Sequence, residues 1–496
     1  MKAEFRAAGW LCAIVALALA GSAVASSFAA GQTFYDAYTQ TPYSVAYRLP
    51  IHVVQAASPG WDVLLTAWLM LAAIALCGAR LVRALREVRS GSAAWLLGAF
   101  AVACLALSTF SIIQSSDVYF YVLYGRLYGV YGVNPYVLGS KLSAASDPLI
   151  AQLLPFSGNP PFSDPYGPLW TLGAGLQSKL LAGADLFWSA WSFRAASIAA
   201  AIAAAAGVLH ACRRQDAGAR IGAAGRFAFH PLVLYECAVG GHNDAVMLAP
   251  AIWAFAIVDE LPLVGGLLLG AAIAVKYVAA IALPFFVVRA RRGGAFAPPI
   301  AAVLALAIPV LCAHPFQAGT AGSQALASNG SRFAMSIEWL VNMPIFAAGL
   351  GNVPALGWLP PLPLLGSPSW ARIVELGALA IAAGVVAYGT WRCVRGRFDD
   401  KYVWRSVAAL LMALPSMHPW YGLWIVPAAA GEGRWAAYAW WFGVLVLGCY
   451  TVDAVAAGSM PSWLPIAATV VYLALPVVIA RFGRPAPTNA IEHGAG

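Results

Sequence analysis

The sequence predicts an all-α protein, a polytopic membrane bundle of about 13–14 helices, on three observations. The 496 residues are 61% apolar and only 10% charged, whereas soluble domains carry roughly a quarter charged residues. The apolar residues form many runs of about 20 residues, the length that crosses a bilayer as a helix. Short basic clusters such as Arg213-Arg214 separate these runs. A lipid bilayer is therefore the first predicted partner.

The apolar runs divide the chain into candidate spans at approximately 8–28, 61–79, 94–113, 188–211, 221–240, 244–259, 262–275, 277–290, 297–313, 370–391, 402–417, 419–430, 435–452 and 461–480. We predict one membrane domain over 1–484 and a disordered tail over 485–496. Three long segments between spans are termed the outer segments; they cover about 29–60, 114–187 and 314–369. The second and third are rich in aromatic residues, which favour the headgroup level, so short interfacial helices are predicted there. The stretch 168–183 is predicted to be an interfacial or re-entrant helix.

Lys and Arg cluster in the loops that this span assignment places in the cytoplasm, as the positive-inside bias requires. We therefore expect the chain to cross the plasma membrane with its N- and C-termini in the cytoplasm. The outer segments are then extracytoplasmic. The net charge of +9 follows from these clusters, so no nucleic acid partner is predicted. The first apolar run is predicted to be a retained helix, with a cleaved secretion signal as the alternative.

The eight cysteines show no CxxC spacing, so neither a zinc site nor a disulfide framework is indicated. His, Asp and Glu form no cluster at metal-ligand spacing. No metal or other cofactor is predicted, and a divalent ion remains an open alternative.

The first candidate site follows the third predicted span. Asp117 lies at the outer end of a strongly apolar helix, where an unpaired carboxylate is costly. Tyr121 and Tyr124 begin a series of tyrosines at helical spacing, which predicts an aromatic helix face; Arg126 and Asn134 follow. A functional acid and a simple helix cap at Asp117 within an aromatic belt are equal alternatives.

The second candidate site is the block Gly-Gly-His-Asn-Asp at 240–244. Asp244 begins the next predicted helix, where the helix dipole favours a carboxylate. A simple N-cap by Asn243 or Asp244 is the competing explanation. His242 beside them and Glu236 one or two turns earlier favour a polar site.

The third candidate site is His418-Pro419-Trp420-Tyr421, at a predicted outer turn. His418 and Tyr421 are proton donors, and the flat face of Trp420 suits stacking on a sugar or a polyprenyl chain. The alternative is that these rings are interface anchors.

Two cations complete the candidates. Lys276 lies inside an apolar run, so it must face a cavity, snorkel to the interface or pair with an anion; a phosphate group is one such anion. Arg332 in the third outer segment is a further phosphate candidate. The span assignment sends the carboxylates, histidines and Lys276 to one outer face, which indicates a shared site.

Five segments resemble the polyprenyl-phosphate-dependent glycosyltransferases of the GT-C superfamily, and most of all its bacterial membrane mannosyltransferases. In chain order they are Asp117 with its Tyr-rich and Gly-Val-Asn-Pro-Tyr sequel, Tyr166-Gly167-Pro168-Leu169-Trp170, the 240–244 block, Val275-Lys276-Tyr277 and His418-Pro419-Trp420-Tyr421. They cover about 115–430, and their order resembles that of the family.

The resemblance implies transfer of a hexose, expected to be mannose, from a polyprenyl-phosphate donor to a glycan or glycolipid acceptor on the extracytoplasmic face. In that family an acidic residue of an early outer loop deprotonates the acceptor hydroxyl, and Asp117 matches it. The family's loop usually follows the first helix, so Asp36 is the alternative base. An inverting displacement needs one such base, and cations stabilise the departing phosphate. The implied donor- and acceptor-binding residues are Tyr121, Arg126, Asn134, Tyr166, His242, Asn243, Asp244, Lys276, Arg332, His418, Trp420 and Tyr421.

A transporter or lipid flippase is the alternative function. Such a protein is expected to carry broken or charged helices near the midplane and internal symmetry, and no convincing repeat is found in this sequence. A non-catalytic scaffold of a cell-envelope complex is the third hypothesis.

Overall fold

The computed structural model of the chain describes residues 2–28, 61–87, 92–108, 117–137, 147–153, 163–316, 336–337, 368–396, 398–450 and 464–482. Within these residues the regular secondary structure is helical, without a β-strand, which confirms the all-α prediction. Asp36 in the first outer segment, Arg332 in the third and the tail 485–496 lie outside the described residues.

The helices of the first half are α1 (Lys2–Phe28), α2 (Trp61–Arg86), α3 (Ser92–Leu107), α4 (Asp117–Gly129), α5 (Pro148–Leu153), α6 (Pro168–Leu180), α7 (Leu186–Ala211), α8 (Ala217–Ala228) and α9 (Pro231–Val233). They continue as α10 (Asp244–Ile257), α11 (Pro262–Val275), α12 (Leu283–Ala290), α13 (Ala297–Ala313), α14 (Pro368–Arg395), α15 (Lys401–Ala413), α16 (Arg434–Leu445) and α17 (Leu464–Phe482). A π-helix covers Leu234–Val239, and 3₁₀ helices cover Pro135–Val137, Tyr277–Ala282, Arg291–Gly293, His314–Phe316, Pro419–Trp424, Val426–Ala430 and Val446–Tyr450.

Five described helical stretches are long and apolar enough to cross a membrane, and they belong to α1, α2, α7, α13 and α14. Shorter apolar helices include α3, α10 and α11. α13 leaves Val303 and Val310 exposed, and α14 leaves Ile381 exposed, as lipid-facing helices do. The chain is therefore a multi-spanning membrane protein; the orientation of its termini and the single domain over 1–484 stay predictions.

Four predicted spans are not continuous α-helices in the described residues. The stretch 221–240 is divided into α8, α9 and the π-helix Leu234–Val239, and 435–452 begins as α16 and continues as the 3₁₀ helix Val446–Tyr450. The stretch 277–290 is a 3₁₀ helix followed by α12, and 419–430 is a pair of short 3₁₀ helices. Pro419 and Pro427 each stand at the start of one of these 3₁₀ helices. Proline supplies no N–H for the hydrogen-bond ladder, so it begins a new helical piece more readily than it continues one.

The candidate site depends on close contact between α4 and α6. A Cβ at Gly125 would lie 2.5 Å from the Ala174 carbonyl oxygen, and one at Gly129 would lie 1.9 Å from that of Gly175. Only glycine permits this approach, as in other helix pairs with small residues four apart. The Gly167 N–H, just before α6, donates to the Val275 carbonyl at 3.1 Å. These contacts join α4 to the end of α11.

Candidate active site

Asp117 is the first residue of α4, and Tyr121 lies one turn later with its side chain buried. The Tyr121 ring packs edge-on against Tyr166, with ring centroids 5.0 Å apart, and against Trp170 at 4.8 Å. Burial, followed by the carboxylates of Asp117 and Asp244, raises the pKa of the Tyr121 hydroxyl well above its ordinary value. Two carboxylates from distant parts of the sequence therefore lie near one tyrosine.

The 240–244 block forms a tight turn before α10. Gly241 has a φ of +67°, and a Cβ there would lie 2.9 Å from Cγ of Arg194 and 3.0 Å from the Val118 side chain. The conformation and the space both require glycine. The turn places the Asn243 N–H 3.2 Å from the Tyr121 hydroxyl, which accepts its hydrogen bond. The second candidate site thus contacts the first.

Asn243 occupies the N-cap position of α10, but its side chain makes no capping hydrogen bond. The side chain is buried, and neither of its amide atoms has a hydrogen-bond partner within the described residues. An unpaired buried amide costs about 1–3 kcal/mol. Helix capping by Asn243 therefore does not account for the polar block.

Asp244 and Lys276 form an ion pair in which the ammonium lies 2.8 Å from each carboxylate oxygen. The Trp424 indole N–H also donates to Asp244, and the ammonium lies 5.1 Å from the centre of the Tyr421 ring. Lys276 has an extended backbone, with φ −153° and ψ 117°, between α11 and the following 3₁₀ helix. Of the three alternatives for this lysine, pairing with an anion is the one observed.

Three stacked rings connect the second and third candidate sites. The rings of His242 and Trp420 are 4.2 Å apart with an interplanar angle of 16°. Trp420 also stacks on His418, at 4.5 Å and 8°. Nδ1 of His242 lies 2.9 Å from a carboxylate oxygen of Glu236. We term these four residues the Glu236–His418 column.

Two predicted site residues are engaged elsewhere. Arg126 forms an ion pair with Asp147 and donates to the Ala182 carbonyl at 3.0 Å. It stands nine positions after Asp117 in α4, about 13 Å along the axis. The amide of Asn134 donates to the Phe316 carbonyl. Their contacts lie in the segments next to α5, α6 and α13, and neither residue belongs to the group of contacts around Tyr121.

Asp164 is a buried acid that sequence reasoning missed. It accepts hydrogen bonds from the Thr171 hydroxyl at 2.7 Å and the Tyr166 N–H at 2.8 Å. Burial raises the pKa of its carboxyl to about 7, against the lowering effect of those hydrogen bonds. Its only sequence signal is its place two residues before Tyr166. In the part of the chain that the structure describes, no group of three His, Cys, Asp or Glu side chains is arranged to hold a metal ion.

A helical membrane bundle whose carboxylates, histidines and aromatic rings meet in one cluster has the character of a membrane enzyme that handles polar substrates. Residues 6–292 match the family described as alpha-(1->6)-mannopyranosyltransferase, N-terminal domain. The match spans more than half of the chain, and the protein belongs to this family. No curated protein and no solved structure matches it.

Membership makes the protein a glycosyltransferase, which confirms the resemblance seen in the sequence and replaces the transporter and scaffold hypotheses. The matched region contains Asp117, the 240–244 block and Lys276. The segment at 418–421 lies beyond it, and the contacts with His242 and Lys276 connect that segment to the matched region.

Proposed function

We propose that the protein transfers mannose from a polyprenyl-phosphate donor to a mannose-containing glycan or glycolipid on the extracytoplasmic face. The observation that supports this most is the contact between two distant segments: Tyr121, one turn after Asp117 in α4, accepts a hydrogen bond from the Asn243 N–H, next to Asp244. The family description names an alpha-(1->6) linkage. The attacking group is then the hydroxyl on C6 of an acceptor mannose.

Asp117 is the proposed base. It is half-buried at the start of α4, where a carboxylate is favoured by the helix dipole. The carboxylate takes the proton of the acceptor hydroxyl as that oxygen bonds to C1 of the donor mannose. The bond between C1 and the phosphate oxygen breaks, and its electron pair leaves with the polyprenyl phosphate. Because C1 inverts, an alpha product requires a beta-linked donor.

Lys276 is the proposed partner of the leaving phosphate. An ammonium has three N–H donors, and the two oxygens of Asp244 engage it at 2.8 Å. One N–H remains for the phosphate, and Asp244 with the ring of Tyr421 holds the ammonium in place. His418 is half-buried at the end of the column and is the second donor toward the same group. Charge developing on the phosphate is stabilised by such prearranged donors.

The test is transfer by membranes that contain the Asp117→Asn variant, supplied with polyprenyl-phosphate-mannose and a mannose-containing acceptor. Loss of a general base is expected to lower transfer by about 10²–10⁴-fold without changing the amount of protein in the membrane. Asp216→Asn is the matched control, because Asp216 caps α8 through the Ala219 N–H and asparagine caps equally well.

Near-normal turnover by Asp117→Asn would remove Asp117 from this role. Offering wild-type membranes a set of polyprenyl-phosphate sugars tests the donor separately. Consumption of a donor other than mannose, with polyprenyl-phosphate-mannose left intact, would contradict the proposed substrate.

A further inference from the structure

We propose that Glu236 is a positioning residue of this site, which holds His242 and, through the stacked ring of Trp420, places His418. Glu236 has no step in the displacement described above. The inference rests on the proposed function, because part of its readout is mannosyl transfer.

Glu236 holds His242 by two separate contacts. The Glu236 carbonyl accepts the His242 N–H at 3.0 Å, and its carboxylate lies 2.9 Å from Nδ1 of the same histidine. The residue is part of the π-helix Leu234–Val239, a form that often interrupts α-helices at functional sites. The main chain and the side chain of one residue therefore both determine where the imidazole lies.

The carboxylate of Glu236 is fully buried and does not depend on His242 alone. The Tyr450 hydroxyl donates to it, 3.1 Å from both oxygens. A buried carboxylate is costly unless it is paired and hydrogen-bonded, and here it has both kinds of partner. Tyr450 ends the 3₁₀ helix Val446–Tyr450, so Glu236 joins the 240–244 turn to a segment some 200 residues later.

The stacked rings connect His242 to His418, the residue proposed to contact the donor. Trp420 lies nearly parallel to His242 and to His418. An imidazolium on an indole face adds a cation–π attraction to the contact area. Nε2 of His418 lies 3.2 Å from the Ser416 hydroxyl. His242 and Glu236 are wholly buried, whereas His418 is half-buried, so the column runs from the interior to the residue proposed to contact the donor phosphate.

Charged and titratable groups surround the His242 imidazole on several elements. The groups that face the turn or its partner Glu236 are Glu236 itself, Asp117 and Tyr121 on α4, Asp244 on α10, Arg194 on α7, Tyr450 and, across Trp420, His418. Burial lowers the pKa of His242, but the hydrogen bond and charge of Glu236, with the charges of Asp117 and Asp244, outweigh burial and raise it. The imidazolium is therefore retained to a higher pH than an isolated histidine would allow.

The variant Glu236→Gln keeps the shape of the side chain and removes its charge. The imidazole of His242 is then expected to lose its proton at a lower pH, which weakens its attraction to Trp420 and loosens His418. Since His418 is proposed to contact the donor phosphate, KM for the donor should rise more than kcat falls. Glu236→Asp keeps the charge and should recover part of the effect.

The experiment measures kcat and KM for polyprenyl-phosphate-mannose between about pH 5.5 and 8.5, the range in which histidine titrates. Glu236→Gln is expected to raise KM about tenfold near pH 7.5 and to move the alkaline limb of kcat/KM to lower pH by about one pH unit. Glu260→Gln is the matched control; Glu260 pairs with Arg213 at a partly exposed position between α10 and α11, and its profile should equal that of the wild type.

A second readout needs no donor. The His242–Glu236 pair contributes stability below the ordinary pKa of histidine and loses it as the pH rises through the raised pKa. The Tm difference between wild type and Glu236→Gln in detergent should therefore narrow from about pH 6 to pH 9. Unchanged KM and a pH-independent Tm difference would overturn the proposal for Glu236. Absence of mannosyl transfer by the wild type, with a narrowing Tm difference, would instead overturn the proposed function.

Discussion

Burying the charge of Asp244 or Lys276 alone would be costly, but the two side chains form an ion pair. Asp244 is fully buried and the Lys276 side chain is 15% exposed. The sequence indicated that each residue needed a partner, because ionisable groups in apolar runs rarely stay unpaired. It did not show that each was the partner of the other, since 32 residues separate them.

Replacing one partner of this ion pair should lower the free energy of unfolding more than its share of the loss caused by replacing both. Lys276→Met leaves the Asp244 carboxylate buried without its cation, and such changes cost about 3–5 kcal/mol. The double variant Asp244→Asn/Lys276→Met should be less destabilised than the sum of the single variants. Thermal unfolding in detergent measures the difference, and strictly additive effects would show that the two charges are independent.

Asp164 should make stability depend on pH in a defined direction. Its pKa is raised to about 7 in the folded protein, so between roughly pH 4 and pH 7 the unfolded chain loses this proton while the folded protein keeps it. Stability therefore falls as the pH rises through this window, by on the order of 4 kcal/mol for this group, and the loss is complete above about pH 7.

The variant Asp164→Asn should abolish that contribution while keeping an acceptor for Thr171. Its Tm minus that of the wild type should increase from pH 4 to pH 7 and then level off. A difference that stays constant over this range would mean that the Asp164 carboxyl ionises normally in the folded protein.

At the scale of elements, two residues of the candidate site lie where helices are interrupted. Lys276 lies between α11 and a 3₁₀ helix, and His418 precedes another 3₁₀ helix. The sequence predicted an interruption at Val275-Lys276-Tyr277, because Lys276 divides the apolar run into the candidate spans 262–275 and 277–290. It predicted a single span for 419–430, because apolar composition over a dozen residues does not distinguish an α-helix from two 3₁₀ pieces.

The close approach of α4 and α6 gives an element-scale prediction. Gly129→Ala places a Cβ where the Gly175 carbonyl oxygen stands, 1.9 Å away, so α4 must move away from α6. Because α4 begins with Asp117, we expect mannosyl transfer to fall by about tenfold or more, a small displacement being enough to misalign reacting groups. Transfer by membranes with equal protein content measures this.

Gly98→Ala is the control for the same change. A Cβ at Gly98 in α3 meets nothing within 4 Å, and alanine is favoured over glycine inside a helix by roughly 0.5–1 kcal/mol. This variant should keep full transfer and should not lower the Tm. Equal loss of transfer in both variants would show that the α4–α6 contact is not the cause.

At the scale of the whole molecule, the predicted orientation places the site outside the cytoplasm. Val133 follows α4, Phe296 lies between α12 and α13, and both side chains are exposed. Val133→Cys should react with a membrane-impermeant maleimide in intact cells, compared with the parent chain. Phe296→Cys should react only after permeabilisation. The reverse pattern would place the site on the cytoplasmic face.

The sequence by itself determined the class of protein and indicated most of the polar residues of the candidate site. Apolar runs of membrane-spanning length have few alternatives in a bilayer, where backbone groups must be paired within each helix. A charged or imidazole side chain in or beside such a run is conspicuous, which is why Asp117, His242, Asp244 and Lys276 stand out from sequence alone. Asp164 was not conspicuous, because it lies in a polar stretch between helices.

Only the tertiary structure decided which of these groups meet. It paired Asp244 with Lys276, stacked His242 and His418 on Trp420, and sent Arg126 and Asn134 to loop contacts instead. Apart from the stacking of His418 on its near neighbour Trp420, each of these contacts joins residues that lie 21 or more positions apart in the sequence. Such contacts depend on how helices cross and where they break, and local periodicity carries no information about either.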